Sequence, residues 1–528
     1  KSAKHTDFDN YSEDDYGRKG TYSYGTGEAF NYEADFTLNY SKNFMEKHQL
    51  YVGLGYNFAQ EKNEFFTILA EGISNINMDF LGMASMYEKD GHPQSSEGFS
   101  RRMGGIANVN YTYDRRYFVD ASFKIEGSSK FGSDNRYAPF WSVGIGWNLH
   151  HEAFMMDNNL LNVARLKLSY GTSGSQAFNS YQAMTTFKDY GGSSYQGWYG
   201  VYLMAMGNSD LGWQKTKQLN VGAELEFFNG RIRINADYYN KVTDDLLSDI
   251  TLPSSSGFGS YKANVGQVAN TGVELGVNVY VFRDTKRDLT WLIGGTLAHN
   301  KNEIKKISNS LEFLNDQMSS EDGGNPSFMY EEGQSMNTIF AVKSKGIDPS
   351  NGKEIYIKKD GTETYTWDAK DKVPCGINEP KIWGNLNTMF RYKGITLNAI
   401  FGYRYGGQMY NYTLVSKVEN IYPFDNADKR VLYDRWKNPG DNAFFKGVRD
   451  FTTTNATSRF VMDENTLECR SISLGYDWEA KWLDQVGISY LTITGYMEDV
   501  FRISSIKQER GLSYPFSRKF SVSLSVRF

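Results

Sequence analysis

Two cysteines, Cys375 and Cys469, are the only thiols in this 528-residue chain. A disulfide framework and a thiolate metal cluster are therefore excluded, and at most one bridge could join the pair. The six histidines contain no HExxH spacing. His150 and His151 are adjacent, and on a strand they would point to opposite faces and could not share a metal. Ten prolines against 51 glycines exclude collagen-like and proline-rich classes. No run of eighteen apolar residues exists, so the chain has no candidate transmembrane helix. Neither sign of charge dominates: 57 basic and 62 acidic residues leave a formal −5. That balance predicts no nucleic-acid partner. The glycine-rich piece Gly127 to Gly132 lacks the Lys-Ser/Thr pair of a phosphate loop. The chain starts at Lys1 with no signal-peptide pattern after it, which reads as a processed chain or a piece of something longer.

What is abundant is aromatic residues, 15% of the chain with 37 Tyr and 34 Phe, which argues against disorder. They sit in segments of strict period-two alternation, the signature of strands with one apolar and one polar face. Phe520, Val522, Leu524, Val526 and Phe528 alternate with Lys519, Ser521, Ser523, Ser525 and Arg527. Leu219 to Phe227, Ile232 to Tyr238, Val273 to Val279, Tyr117 to Ile125 and Trp141 to Leu149 repeat the pattern. The alternation predicts about seventeen strands: 30–43, 48–60, 101–112, 116–127, 138–149, 162–174, 215–227, 231–247, 265–282, 289–301, 335–346, 353–358, 379–391, 394–405, 466–478, 486–501 and 512–528. Short and long connections alternate, with the long ones near 61–100, 175–214, 302–334 and 406–465. Short turns on one side, long loops on the other and charges in mid-strand predict an all-β fold, a transmembrane antiparallel β-barrel with its polar face on a lumen and its apolar face on lipid. Arg165, Lys167, Arg231, Arg233 and Asp237 are expected to face the lumen.

The ordered motifs resemble the SusC/RagA-like TonB-dependent outer-membrane transporters of Bacteroidetes. They run from Ile125-Glu-Gly-Ser-Ser-Lys-Phe-Gly132 through Gly146-Trp147, Glu152-Ala-Phe-Met155 and Leu166-Lys-Leu-Ser-Tyr-Gly-Thr-Ser-Gly174. Leu211-Gly-Trp-Gln-Lys-Thr216, Asp237-Tyr-Tyr-Asn-Lys-Val-Thr-Asp-Asp-Leu-Leu247, Asn270-Thr-Gly-Val-Glu-Leu275 and Asn300-Lys-Asn-Glu-Ile304 follow. Arg435-Trp-Lys-Asn-Pro-Gly-Asp441 and Cys469-Arg-Ser-Ile-Ser-Leu-Gly-Tyr476 complete the series, which covers about 100 to 528. The resemblance implies multi-pass insertion in the outer membrane and active import of a nutrient, an oligosaccharide first and a peptide second. It also implies energy from TonB and a SusD-like surface lipoprotein over the mouth. A passive porin-like channel and a soluble glycan-binding β-protein are the alternatives from other classes. No plug or TonB-box-like segment is found. Residues 30–528 are then expected to be the C-terminal part of a 22-stranded barrel and 1–29 an extracellular loop. A second polypeptide would carry the plug and the first strands.

No converging acid, base and nucleophile is evident, so the sequence predicts no enzyme, no cofactor and no metal. Acid-rich Glu13-Asp14-Asp15 and Glu321-Asp322 read as solvated loop charge, with calcium the alternative. The candidate substrate-binding residues are loop aromatics: Tyr195, Trp198, Tyr199 and Tyr202, with Tyr365, Trp367, Tyr422 and Phe424 weaker. Sugars stack on such rings through their C–H faces.

Overall fold

The computed structural model describes residues 2–528 except 8–19, 74–79, 88–92, 157, 177–178, 197, 252–256, 259, 265, 309–314, 316–325, 327–328, 422–427, 479–482, 484, 486 and 508–516. In chain order the strands are β1 (Ser2–Asp7), β2 (Thr21–Phe44), β3 (His48–Glu71), β4 (Met86–Tyr87), β5 (Gln94–Tyr113), β6 (Tyr117–Ser128), β7 (Tyr137–Asn148) and β8 (Leu161–Ser175). Then come β9 (Thr186–Tyr195), β10 (Trp198–Ala205), β11 (Gln214–Phe227), β12 (Ile232–Asp244), β13 (Leu247–Thr251), β14 (Ser260–Asn264), β15 (Gln267–Asp284) and β16 (Leu289–Lys306). The rest are β17 (Thr338–Ile347), β18 (Glu354–Ile357), β19 (Glu363–Thr364), β20 (Lys372–Ile377), β21 (Ile382–Tyr392), β22 (Ile395–Tyr410), β23 (Val461–Trp478), β24 (Tyr490–Ser504) and β25 (Phe520–Arg527).

Seventeen of these strands form one sheet, in which β1 and β4 are short additions to fifteen long antiparallel strands. Successive long strands pair with one another, as a wall that turns back on itself at each end requires. Alternation survives across the whole wall because directly opposed residues share a face. Arg165, Glu224, Asn235, Gly276, Thr296, Asn385, Gly402, Glu468 and Arg502 form one continuous cross-strand row. One residue along, the row reads Leu166, Ala223, Ala236, Leu275, Leu297, Gly384, Tyr403, Leu467 and Ile503, on the other face.

The apolar face is bare. Phe36, Leu38, Phe123, Ile145, Leu386, Leu474 and Val522 are all exposed, and such residues recur on strand after strand. A soluble monomer rarely exposes a contiguous apolar patch beyond a few hundred Å²; a belt running the width of the sheet needs lipid. The polar face carries ion pairs instead. Glu224 holds Arg165 at 3.0 Å and Lys167 at 2.6 Å, and Arg233 reaches Glu226 at 3.1 Å. Half exposed, each pair is worth roughly 0.2–1 kcal/mol, so these pairs tune the wall rather than hold it. Arg165, Lys167, Arg233 and Asp237 share this face as expected, whereas Arg231 stands in the turn before β12.

Both ends of the wall are set by local chemistry. At one end the connections are tight, with successive residues at positive φ: Met45 and Glu46 (50° and 56°), Asp114 and Arg115 (49° and 59°), Lys393 and Gly394 (47° and 82°). That is the backbone of two-residue hairpins whose twist matches the strands. The Gly-Trp…Glu motif is anchored there. The Glu152 carboxylate accepts from the Tyr117 hydroxyl at 2.7 Å and Trp147 Nε1 at 3.0 Å, which draws its pKa below the usual carboxylate range. At the other end the connections are long, and both buried apolar clusters lie there.

Three expectations are corrected. Residues 335–346 and 353–358 are strands but not wall strands: β17 and β18 join β19 and β20 in a separate four-stranded sheet. They alternate apolar and polar residues because that small sheet also has one buried face. Within the expected loop 1–29, Ser2–Asp7 is strand, and β2 begins at Thr21, because the two pair from Ser2↔Thr26 to Asp7↔Thr21. These strand ends rise past the apolar belt, so they lack the pattern that marks a crossing strand. His150 and His151 sit on a 3-10 turn, not a strand, with rings 4.3 Å apart. Cys375 and Cys469 are both free.

Candidate functional site

The long-loop end carries the candidate binding aromatics. Here β9 and β10 form a hairpin that rises from the wall between β8 and β11. The register sets Trp198 opposite Tyr195, Tyr199 opposite Ser194 and Tyr202 opposite Lys188. Tyr195 and Trp198 are therefore register partners at the tip, with Tyr199 the next residue along β10. Trp198 is 80% exposed and Tyr202 44%. Hydrophobic side chains continue down the hairpin, with Phe187, Val201 and Leu203 exposed. The four aromatics are thus on one hairpin.

The weaker candidates divide. Trp367 is structural: its Nε1 donates to the Ala456 carbonyl at 3.1 Å, and Lys372 lies over its ring. Tyr365 stays half exposed, and its hydroxyl donates to Asp348 at 2.5 Å, which lowers the Asp348 pKa. Tyr422, Phe424, Glu13-Asp14-Asp15 and Glu321-Asp322 lie outside the described residues. Among the described residues no cluster of His, Cys, Asp or Glu has the makings of a metal site.

A compact rim body makes up the rest of this end. It is built from β17 to β20 and the segment between β22 and β23, joined by a bridge from Val342 to Thr457. At its centre is Arg459, whose side chain is 4% exposed. Its guanidinium forks onto Glu354, with Nε to Oε1 at 3.1 Å and Nη2 to Oε2 at 2.8 Å. Nη2 also donates to Glu419 at 2.6 Å, and Nη1 to the Phe444 carbonyl at 2.5 Å. The Phe460 and Phe444 rings lie 4.5 and 5.5 Å from the guanidinium carbon. Burial alone would lower the Arg459 pKa, but the two carboxylates overcome it and raise it. Arg435, from the Arg-Trp-Lys-Asn-Pro-Gly-Asp motif, donates to the carbonyls of Val431, Lys446 and Val418 and pins three turns of the segment together. Burial pushes the Lys446 ammonium below its ordinary pKa. None of Arg459, Glu354 and Glu419 stood out in the sequence. They are far apart along the chain, and only the fold brings them together.

The comparisons match this architecture. The family model described as TonB dependent receptor-like, beta-barrel matches residues 2–421. The chain belongs to the TonB-dependent receptor β-barrel family. It is 23% identical to TonB-dependent receptor P39 of Formosa agariphila, over 94% of this chain and 53% of that protein. It is 26% identical to TonB-dependent receptor SusC of Bacteroides thetaiotaomicron, over 80% of this chain and 43% of the relative. A chain of the RagAB peptide transporter superposes with a TM-score of 0.83 at 23% identity, covering 92% of this chain and 53% of that one. The chain thus spans about half the length of the relatives it matches, as an outer-membrane barrel wall of the SusC/RagA-like kind. In that family setting the tight turns are periplasmic and the rim body extracellular.

Proposed function

We propose that this chain forms most of the wall of an outer-membrane importer that is energised by TonB and capped by a SusD-like lipoprotein. The observation that carries the reading is the pairing of a lipid belt with a charged inner face and a large, separately packed extracellular rim. A passive channel needs the first two but not the rim. Cargo is first an oligosaccharide, met by aromatic loop residues such as Trp198, Tyr195, Tyr199 and Tyr202. A peptide is the second reading, favoured by the fold shared with a protein described as a peptide transporter. Nothing in the arrangement calls for catalysis, so turnover of cargo is not part of the reading.

The sheet's edges bear on the remaining partners. β25 pairs only with β24, and Ala29–Phe44 of β2 pair only with β3 among the described residues. Bare strand edges in lipid cost several kcal/mol per unpaired group. We therefore include a further element that supplies the plug and closes the wall. The exposed hairpin β9–β10 and the segment 411–460 supply the rim against which a lipoprotein would seat. The test is uptake in the native bacterium: growth on the cargo should be lost on deleting either this gene or TonB, and reduced on deleting the adjacent lipoprotein gene. Uptake that persists without TonB would overturn the active reading.

A further inference from the structure

The rim body contains a cavity of about 540 Å³ that the wall does not use. Trp436 forms its floor. The indole Nε1 donates to the Pro349 carbonyl at 2.9 Å. Gly352, at φ +74°, lies flat against the ring, where a Cβ would come within 2.5 Å of it. Gly447 closes in as well, with a would-be Cβ 3.2 Å from the ring. Any side chain at Gly352 would push the indole out, so the floor is built to stay in place.

The charges around this floor are unequal. Lys353, Lys446 and Arg449 line the cavity with Glu354 and Asp450 as its acids. Glu354 is spent on the Arg459 fork at 2.8 and 3.1 Å. Asp450 Oδ1 accepts from the Thr452 amide at 3.0 Å and its hydroxyl at 2.5 Å. Lys446 is 95% buried, with Asp450 4.0 Å away, and its ammonium donates to the Thr452 carbonyl. Lys353 and Arg449 are exposed and make no ion pair among the described residues. The cavity therefore has two cations with no carboxylate at ion-pair distance among the described residues, Lys353 acting on Asp450 only at longer range. Its other partners are hydroxyls and an amide, Thr366, Thr453 and Asn351, beside the 52% exposed ring of Tyr365. No aliphatic side chain lines it.

We propose that this cavity binds an acidic saccharide, placing a uronate carboxylate or sulfate ester between Lys353 and Arg449. A sugar offers hydroxyls to Thr453 and Asn351 and a C–H face to Tyr365. A peptide would look for aliphatic pockets for its side chains, and no aliphatic side chain lines the cavity. The biological use of the site rests on the import reading. Its binding chemistry does not, because it is measured on purified protein, so failure of uptake and failure of binding are separate results.

The experiment is calorimetric titration of the full transporter complex, purified in detergent. The probes are tetragalacturonate, its fully methyl-esterified neutral form, a sulfated chondroitin tetrasaccharide and tetraglutamate. We expect binding of tetragalacturonate, the sulfated tetrasaccharide, or both. The neutral ester should bind about tenfold or more weakly, and tetraglutamate likewise. K353E and R449E reverse exposed charges that form no ion pair among the described residues, and each should weaken acidic-sugar binding about tenfold without changing the melting profile. Raising salt should weaken it further. The proposal is overturned if no acidic saccharide binds, if the ester or tetraglutamate binds equally well, or if both variants bind like the parent.

Discussion

Replacing Arg459 with methionine should loosen the extracellular rim while leaving the barrel wall intact. The substitution keeps the length of the side chain and its packing between Phe444 and Phe460 but removes the charge. It strands Glu354 and Glu419, whose side chains are 4% and 0% exposed, without the cation that both share. Breaking a buried ion pair from one side costs about 3–5 kcal/mol, mostly because the abandoned charge stays buried. Here two carboxylates are abandoned, and Glu419 already has one oxygen with no partner, so the upper part of that range applies. The cost falls on local opening of the rim, because no wall strand depends on Arg459 for its ladder. Hydrogen exchange by mass spectrometry, with strands β11 to β16 as the internal standard, reads this directly. Rim amides in 335–381 and 411–460 should exchange about three to four orders of magnitude faster, and wall amides at their parent rate. Adding E354Q and E419Q to R459M should recover most of the protection, since neutral amides tolerate burial better than unpaired carboxylates. Parent-like protection of the rim in R459M, or equal loosening of wall and rim, would refute the reasoning.

Leu386→Arg, on the apolar face, should destabilise insertion by about 2–4 kcal/mol, whereas Asn385→Arg, one residue away on the polar face, should be tolerated; heat-modified gel mobility after refolding into vesicles distinguishes them. Asp428, bound by the Arg430 side chain and amide, and Asp348, bound by Tyr365 and Ser350, both have lowered pKa values. Their contribution is therefore present above the ordinary carboxylate pKa and lost as pH falls through the depressed folded values, so rim protection measured by proteolysis should hold at pH 5 and fail only in stronger acid. Cys375 has its thiol pKa raised by burial, so it should alkylate more slowly at neutral pH than a free thiol, and mobility should not change on reduction. Trp198→Ala, at the hairpin tip, should leave folding unchanged and reduce capture of the lipoprotein cap or cargo, read by co-purification and by uptake.

The wall was legible because lipid enforces alternation. Each crossing strand must present Leu, Val, Ile or an aromatic ring at every second position, and the expected strands from 48–60 to 289–301 fall on observed ones with shifts at their ends. Strand ends beyond the belt escape that constraint. The pattern therefore marks β2 only from residue 30, although the strand starts at Thr21, and does not mark β1. The rim was legible only in part. Strands 335–346 and 353–358 showed their pattern, but pattern does not say which sheet a strand joins, and β9, β10, β13 and β14 were lost in loops with no lipid to order them. The loop aromatics Tyr195, Trp198, Tyr199 and Tyr202 fall on the β9–β10 hairpin, a pairing that the sequence pattern does not mark. The Arg459 centre and the cavity over Trp436 depend on contacts between residues 15 to 105 positions apart, which a local reading does not reach.

The central claim is that this wall crosses the outer membrane with its tight turns inside and its rim outside. Single cysteines at Lys286, in the exposed turn between β15 and β16, and at Lys359, in the exposed turn between β18 and β19, test it when placed in a chain whose native cysteines are alanine. A membrane-impermeant maleimide applied to intact cells should label Lys359→Cys at once and Lys286→Cys only after the outer membrane is permeabilised. Labelling of Lys286→Cys in intact cells with Lys359→Cys protected, or equal labelling of both, would contradict the account.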